Sequence, residues 1–312
     1  MGIMLDIHQL NVFLVAAETL NFTQAAHRLR MTQPSVSQHI QSLERHFGNE
    51  LFLRAGRNLE LSDAGIALIS LAREAVNLSI RIEEKMASIK GNVYGHLHVV
   101  CSTAPGKYLL PQILAGFHRQ HPQVRVTCQV TSQKEAIRML CGGEIHFALT
   151  SMPCDVCPEV DFYKFLCDTI VLIAPNTHPW TRTCEIEIEE LKQAELILRE
   201  PGSGTYEAVL GALASHGISM SDLNVLLTLG NSEAIALGVQ EGIGVGFVSE
   251  IIADRLCGDR VSKIEVRGLN INRDIFLGRN FQRPHTVAQK TFWEYIHSPD
   301  NPVTNLLTLA ID

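Results

Sequence analysis

The chain lacks any long uncharged run. Its longest stretch without Asp, Glu, Lys or Arg is Gly91–Gly106, 16 residues that include His96, His98, Ser102, Thr103 and Pro105. That is too short and too polar to cross a bilayer. No secretory leader is expected either, because Asp6 arrives almost at once and no small-residue cleavage site follows a basic and an apolar segment. Both absences lead to the expectation of a cytoplasmic protein with no membrane contact. The pair Cys154-Asp155-Val156-Cys157 has no second C-x-x-C to complete a four-ligand zinc site, so no metal is expected there. Its plain reading is a pair of loop thiols; redox sensing is the alternative. The 13 histidines never fall into H-E-x-x-H, and neither a G-x-S-x-G elbow nor a Walker loop occurs. No catalytic residues are expected, and no cofactor beyond a small-molecule effector. Repeats, Pro-rich tracts and low-complexity linkers are also absent.

A basic excess is missing too, which by itself argues weakly against a nucleic-acid reader. The distribution of charge says more. Residues 1–90 hold nine Lys/Arg and nine Asp/Glu, while residues 91–312 hold 17 and 24 and so carry the whole net charge of −7. In the first 58 residues Arg28, Arg30, Arg45, Arg54 and Arg57 face four acids.

What is present is a chain of 312 residues, 46% hydrophobic and 19% charged, which suits two or three globular domains. Its eight cysteines are scattered and are expected to be reduced, mostly buried thiols.

The pattern changes character near Gly91. Before it, Leu10, Phe13, Leu14 and Ala17 share one face of a helix over 6–19. Asn21 or Thr23 caps a second helix over 24–30. After the turn Met31-Thr32-Gln33, a third helix runs from Pro34 to Phe47, with Val36, Ile40, Leu43 and Phe47 inward and Gly48 as its C-cap. Leu51–Arg54 and Asn58–Leu61 form a hairpin around Gly56. From Ser62 and Asp63 a long helix carries Leu68, Leu71, Ala75, Leu78, Ile82, Met86 and Ile89 at nearly heptad spacing, a dimer seam.

Beyond Gly91, strand candidates at 96–101, 124–130, 146–149, 169–174, 196–198, 225–229, 245–248, 261–266 and 275–277 alternate with helices at 107–120, 133–141, 205–215, 232–240 and 287–295. That alternation predicts parallel sheets covered by helices, arranged as two lobes. The expected fold class is α/β overall: an N-terminal all-α winged helix-turn-helix (1–62), a linker and dimerisation helix (63–90), and a two-lobed α/β effector domain of periplasmic-binding-protein type (91–312). Lobe I takes about 91–167 plus 271–312 and lobe II about 168–270, with crossings near 167–169 and 267–271.

Two constellations carry function. In a winged helix-turn-helix the second helix of the turn enters the major groove with its N-terminal side chains at base edges. Here those are Thr32, Gln33, Pro34, Ser35, Ser37 and Gln38, with Arg54 and Arg57 on the ribbon for phosphate or a narrow minor groove. The second is Arg199-Glu200-Pro201-Gly202-Ser203-Gly204-Thr205, between a strand and a helix, where glycines and a helix start favour an anion. Ser102 and Thr103, then Thr131 and Gln133, stand at the ends of two other strands, where open α/β sheets bind ligands. Ser151 and Asn231 are further wall candidates. Gly242-Ile243-Gly244-Val245-Gly246 is not a dinucleotide loop, because its glycines enter a strand rather than leave one.

Residues 10–65 resemble the N-terminal signature of LysR-type transcriptional regulators. The match lies in Phe13, Ala17, Asn21-Phe22-Thr23-Gln24-Ala25-Ala26, Leu29, Gln33-Pro34-Ser35-Val36-Ser37, Ile40, Leu43-Glu44, Gly48, Leu51-Phe52, Arg54, Leu61 and Ala64-Gly65. Ser62-Asp63 stands where the family often has Thr-Glu. The resemblance implies double-stranded promoter DNA as partner, a dimer through the linker helix that assembles to a tetramer, contact with RNA polymerase, and an organic anion as effector. The segments 102–111 and 199–205 resemble the branch with carbon-fixation and sulfur-assimilation operon regulators, implying a phosphorylated sugar, a 2-oxo acid or an acetylated serine. The competing readings are a two-lobed solute receptor without a DNA role, which leaves the first 90 residues unexplained, and an enzyme on the same fold.

Overall fold

The computed structural model describes residues 4–55, 58–89, 92–102, 104–151, 157–282 and 285–298. The chain forms two compact units that divide between Gly95 and His96.

In the first unit, α1 (Ile7–Thr19), α2 (Phe22–Leu29) and α3 (Gln33–Phe47) precede a two-stranded ribbon, β1 (Phe52–Ala55) and β2 (Asn58–Leu61), and the helix α4 (Asp63–Ser88). Local chemistry sets each boundary. Asn21, not Thr23, caps α2, its side-chain oxygen accepting from the N–H of Thr23 and Gln24 at 2.9 and 3.1 Å. Leu20 and Arg30 end α1 and α2 in the left-handed region, and Gly48 ends α3 there at φ 69°. Leu10, Phe13, Val36, Ile40 and Leu43 fill the core between the helices, joined by Leu51 and Phe52 from the ribbon. Gly65 is obligatory in α4: a Cβ there would stand 2.2 Å from the Leu51 carbonyl oxygen.

The expected seam of α4 divides in two. Leu68 and Ala75 pack on the core of this unit together with Ala72 and Val76. Leu71, Leu78, Ile82, Met86 and Ile89 stay exposed, with Leu78 and Ile82 at 49% and 56%.

The second unit contains β3 (Gly95–Cys101), α5 (Ala104–Gln120), β4 (Val124–Val130), α6 (Gln133–Gly142), β5 (Phe147–Thr150), β6 (Val160–Pro175), β7 (Glu185–Ile186), β8 (Leu196–Arg199), α7 (Gly204–Ala214), β9 (Val225–Leu229), α8 (Ser232–Gln240), β10 (Val245–Ser249), β11 (Val261–Val266), β12 (Ile271–Asn280) and α9 (Val287–Ile296). One path of strands runs β4-β3-β5-β12-β6-β10-β8-β9, with β11 added on β6 and β7 on β11.

The sheet is mixed rather than parallel throughout. β3 with β5, and β8 with β9 and β10, are parallel pairs, but β12 and β6 run antiparallel to each other and to their neighbours β5 and β10. Two of these strands are also longer than their apolar runs. β6 spans 16 residues and β12 spans 10, where the apolar runs alone mark only 169–174 and 275–277. Polar residues alternate with apolar ones along the remainder, so each strand continues half-buried. Opposite Cys167, Asp168 and Thr169 of β6 lie Asp274, Arg273 and Asn272 of β12. Residues 267–270 form the turn before β12, with Gly268 at φ 78°.

Separate apolar clusters flank the sheet. One gathers Leu172, Leu196, Leu198, Leu213 and Phe247, and another joins Ile173, Ile197 and Ile235. A third contains Val100, Leu140 and Ile145. Gly244 and Gly246 serve packing: Cβ atoms there would meet the Glu195 carbonyl oxygen at 2.4 Å and Ile235 at 2.5 Å. That is the work of a tightly packed strand, not of a phosphate loop.

Candidate functional site

The helix-turn-helix presents its residues as a helix start should. Thr32 caps α3, its hydroxyl accepting from the Ser35 N–H at 3.3 Å, and Pro34 occupies the first turn, where its missing N–H costs nothing. Gln33, Pro34 and Gln38 are exposed, and Ser35 and Ser37 are half-buried. The cap occupies the Thr32 oxygen, so Gln33 and Gln38 are the long amide side chains free to face outward. Arg54 lies in β1, its backbone opposite Leu59. Arg57 falls outside the described residues.

The second unit gathers its candidates at strand ends. Ser102 follows β3; its N–H donates to the Leu149 carbonyl at 2.9 Å and its hydroxyl to the same oxygen at 3.3 Å. The N–H of Thr131, just past β4, donates to the Cys101 carbonyl at 3.1 Å. Ser151, just past β5, donates from its hydroxyl to Gln133 Oε1 at 2.8 Å, which leaves the Gln133 amide N–H₂ as a donor. These four residues are therefore brought together. Thr103 falls outside the described residues.

Ser151 also meets the second strand-end group. A Cβ on Gly204 would sit 1.9 Å from the Ser151 hydroxyl, so glycine alone allows α7 to approach this closely. Ser203 caps α7 by accepting from the Tyr206 N–H at 3.2 Å, and its own proton remains available to donate. The N–H groups of Gly204 and Thr205 open α7, where no preceding helical carbonyl exists to receive them. Gly202, at φ 82°, donates its N–H to Glu207 Oε1 at 3.1 Å. Asn231 caps α8 with its oxygen on the Ala234 N–H at 2.6 Å and is exposed.

The sequence did not single out the network beneath these groups. Arg273 is buried, as is Asp168; its Nε and Nη2 each lie 2.8 Å from Asp168 Oδ2. Only the Nε contact is aligned as a hydrogen bond, so Nη2 retains donor capacity despite its proximity. Ser249 donates to the other carboxylate oxygen at 2.5 Å, and Arg273 Nη1 donates to Thr205 Oγ1 at 2.8 Å. Burial pushes the Asp168 carboxyl up from its ordinary value, against the pull of Arg273 and Ser249. In the sequence Asp168 marks only a pause in an apolar run; a charged residue in each of two adjoining apolar segments was the available signal.

Two further ion pairs complete the surroundings. Lys107 Nζ of α5 lies 3.0 Å from Glu233 Oε1 of α8; burial first, then the same Glu233 carboxylate, push the Tyr108 hydroxyl up from its ordinary value. Arg199 forks onto Glu200 at 2.7 and 2.8 Å, and donates to the Ser232 hydroxyl at 3.0 Å and the Gly230 carbonyl at 3.3 Å. Burial works to raise the Glu200 carboxyl, but the Arg199 hydrogen bonds outweigh it and hold it below the usual range. Each of these three cations already faces a carboxylate. The uncommitted donors are neutral hydroxyl, amide and backbone groups plus Arg273 Nη2, a set suited to an anion with several oxygen atoms.

Of the C-x-x-C motif, Cys154 falls outside the described residues. The Cys157 thiol is buried and donates to Glu159 Oε2 at 3.2 Å; burial first, then the neighbouring Cys141 and Glu159, push it up to about 12. Among the described residues no group of three or more His, Cys, Asp and Glu is placed to hold a metal ion, and no helix is long and apolar enough to cross a membrane.

Comparison with known proteins matches two families. Residues 7–66 match the bacterial regulatory helix-turn-helix protein, lysR family, and residues 90–299 match the LysR substrate binding domain. An uncharacterized HTH-type transcriptional regulator of Methanocaldococcus jannaschii is 32% identical over 93% of this chain and 98% of its own. A RuBisCO operon transcriptional regulator of Allochromatium vinosum is 29% identical over 94% and 96%. The solved CcmR regulatory domain of Synechocystis PCC6803, in complex with 2-PG, superposes with a TM-score of 0.58 at 25% identity, covering 65% of this chain and 95% of that one.

Proposed function

The chain belongs to the LysR family of DNA-binding transcriptional regulators, and we propose that an organic anion held at the strand ends of its second unit controls how it acts on promoter DNA. One observation carries the proposal. The Gln133 amide, the Ser203 and Thr205 hydroxyls and the N–H groups that open α7 converge from separate strand ends, with Ser151 and Arg273 orienting them, while the nearby cations are already paired. Such a site takes a bound anion through oriented hydrogen bonds and does not present a strong free charge. The CcmR domain, similar to this one, is solved with 2-PG, and relatives include regulators of RuBisCO operons, which supports a small phosphorylated or carboxylated metabolite from the carbon-fixation branch.

In this reading Gln33, Pro34, Ser35, Ser37 and Gln38, held by the Thr32 cap, face the operator, and Arg54 and Arg57 of the ribbon meet the backbone. The boundaries 1–62, 63–90 and 91–312 separate reader, linker and effector domain, with β6 and β12 passing between two lobes of the last. The exposed stripe Leu71, Leu78, Ile82, Met86 and Ile89 on α4 is the contact of a dimer, which assembles further to a tetramer. The protein works in the cytoplasm, in contact with RNA polymerase, and requires no cofactor.

Thermal-shift measurements against phosphorylated sugars, 2-oxo acids and O-acetylserine test the effector, since a ligand that binds only the folded state raises the melting temperature. A gel shift on the promoter with and without the best of them tests the coupling. A panel that moves neither the melting temperature nor the DNA complex overturns the assignment.

A further inference from the structure

Asp168 and Arg273 stand opposite each other on β6 and β12 and are 2% and 8% exposed. The guanidinium reaches the anion site. Its Nη1 donates to Thr205 Oγ1 at 2.8 Å and would lie 3.3 Å from a Cβ on Gly204, the residue that opens α7. Its Nη2 is buried without an aligned hydrogen-bond partner. The carboxyl is held at both oxygens, Oδ2 by Arg273 Nε at 2.8 Å and Oδ1 by the Ser249 hydroxyl at 2.5 Å.

Charge decides what an incoming anion meets. Asp168 offsets Arg273, Glu233 offsets Lys107 and Glu200 offsets Arg199, so the three pairs sum to zero. An anion seated here adds a negative charge beside a carboxylate that is already buried, and an uncompensated buried charge is costly. The cost is relieved when that carboxylate takes a proton, because Arg273 then offers its whole charge to the ligand.

We propose that the second unit binds its anion together with one proton, and that the proton enters the carboxyl of Asp168. This coupling rests on the anion site proposed above. Ser249 accommodates it with no heavy atom displaced, since a hydroxyl that donates to a carboxylate can accept from a carboxylic acid once its own proton turns away. The proton comes from solvent, bonds to Oδ1 and is donated to Ser249 Oγ, while Oδ2 goes on accepting from Arg273 Nε. Burial already pushes this carboxyl up from its ordinary value, against Arg273 and Ser249.

The other ionisable groups around the pair have partners of their own. Glu250, just past β10, adds to the upward push on Asp168 and meets Lys263 at 2.8 Å. Arg199 of β8 acts on Arg273 and is forked onto Glu200. Cys167 and Asp274, the adjoining pair on β6 and β12, point to the opposite face of the sheet, where Lys164 meets Asp274 at 2.8 Å. From α7 comes Thr205, which does not titrate.

The test uses the full chain with sulfate and with pyruvate, anions of constant charge across the pH range, at ionic strength held with sodium chloride. Calorimetry at about pH 6 in two buffers of different ionisation enthalpy reads the protons taken up per anion bound. A large fraction of one proton is expected. The bound state holds the proton more tightly than the free state, so affinity rises as pH falls from about 8.5 to 5.5, by at most about tenfold per unit. Asp168→Asn keeps the shape and stays neutral; it is expected to bind with no proton uptake at that site and a flat pH profile. Ser249→Ala removes the donor that favours the charged carboxyl and is expected to move the rise in affinity up by about one pH unit. Should Asp168→Asn fail to fold, that displacement and the wild-type uptake decide. Heats that saturate with neither anion overturn the anion site and the coupling with it. Saturable binding with no buffer dependence, proton uptake that persists in Asp168→Asn, or a profile unmoved in Ser249→Ala overturns the coupling alone.

Discussion

Arg273 Nη1 donates to Thr205 Oγ1 across 2.8 Å, joining residues 68 positions apart. A hydroxyl has one proton and two lone pairs. Because Arg273 supplies the proton of this bond, the Thr205 hydroxyl is fixed as an acceptor on one side and keeps its own proton for a ligand. The same guanidinium is anchored on Asp168, whose second oxygen receives Ser249. A residue of β12 thus orients a hydroxyl at the start of α7, and a residue of β6 orients the arginine.

Thr205→Val removes both roles of that hydroxyl at nearly constant volume. Affinity for the anion is expected to fall by about 1.5–3 kcal/mol, the range for a hydrogen bond to a charged group. Thr103→Val, at the residue that follows Ser102 in the sequence, is expected to do the same. Calorimetry with the metabolite that gives the largest thermal shift reads the loss, and DNA binding without effector should be unchanged. Normal effector affinity in both variants would place the site elsewhere.

The Asp168–Arg273 pair is buried on both sides, so removing one partner strands a charge. Arg273→Met is expected to destabilise the folded chain by about 3–5 kcal/mol. Combining it with Asp168→Leu removes both charges and should cost less than the two single changes added together. Urea unfolding of the four proteins forms the cycle; strict additivity would show that the pair is not coupled.

Glu233 holds Lys107 at 3.0 Å, each side chain about one quarter exposed. Glu233→Gln leaves the volume unchanged and frees the cation. Anion affinity is expected to rise several-fold, more at low ionic strength than at high, because the new attraction is only partly shielded from solvent. Calorimetry at two salt concentrations decides, and a weaker anion complex in Glu233→Gln would mean that the glutamate itself contacts the ligand.

On DNA, Gln33→Ala is expected to lose about 1–3 kcal/mol for the operator and little for unrelated sequence, as a base contact would. Arg54→Ala should weaken both alike and flatten the salt dependence by about one phosphate. Operator titrations across salt concentrations separate the two. Folded variants that bind the operator like wild type would remove both residues from the interface.

Leu78 and Ile82 are exposed on α4. If a second copy covers them, Leu78→Asp buries an unpaired carboxylate at that contact and should dissociate the dimer. Sedimentation velocity reads the assembly state directly, and an unaltered dimer would assign this stripe another role.

The sequence by itself determined the local elements. Asn21, Thr32, Ser62, Ser203 and Asn231 cap their helices through contacts within three residues, and the apolar spacing around Leu10, Phe13, Val36 and Ile40 identified the first core. Short-range hydrogen bonds and periodicity are written in neighbouring letters, so they could be read directly. The family signature had the same property, since it lies within one continuous segment. Only the tertiary structure decided the course of β6 and β12, because half-buried strands alternate polar and apolar residues and lose the simple apolar signature. It alone brought Asp168 to Arg273, Arg273 to Thr205 and Lys107 to Glu233, partners separated by 105, 68 and 126 positions. It also gave the Gly202 N–H to Glu207. The physical reason is that a hydrogen bond depends on distance and direction in space. A sequence shows which groups can donate and accept, and the packed fold determines which donor reaches which acceptor.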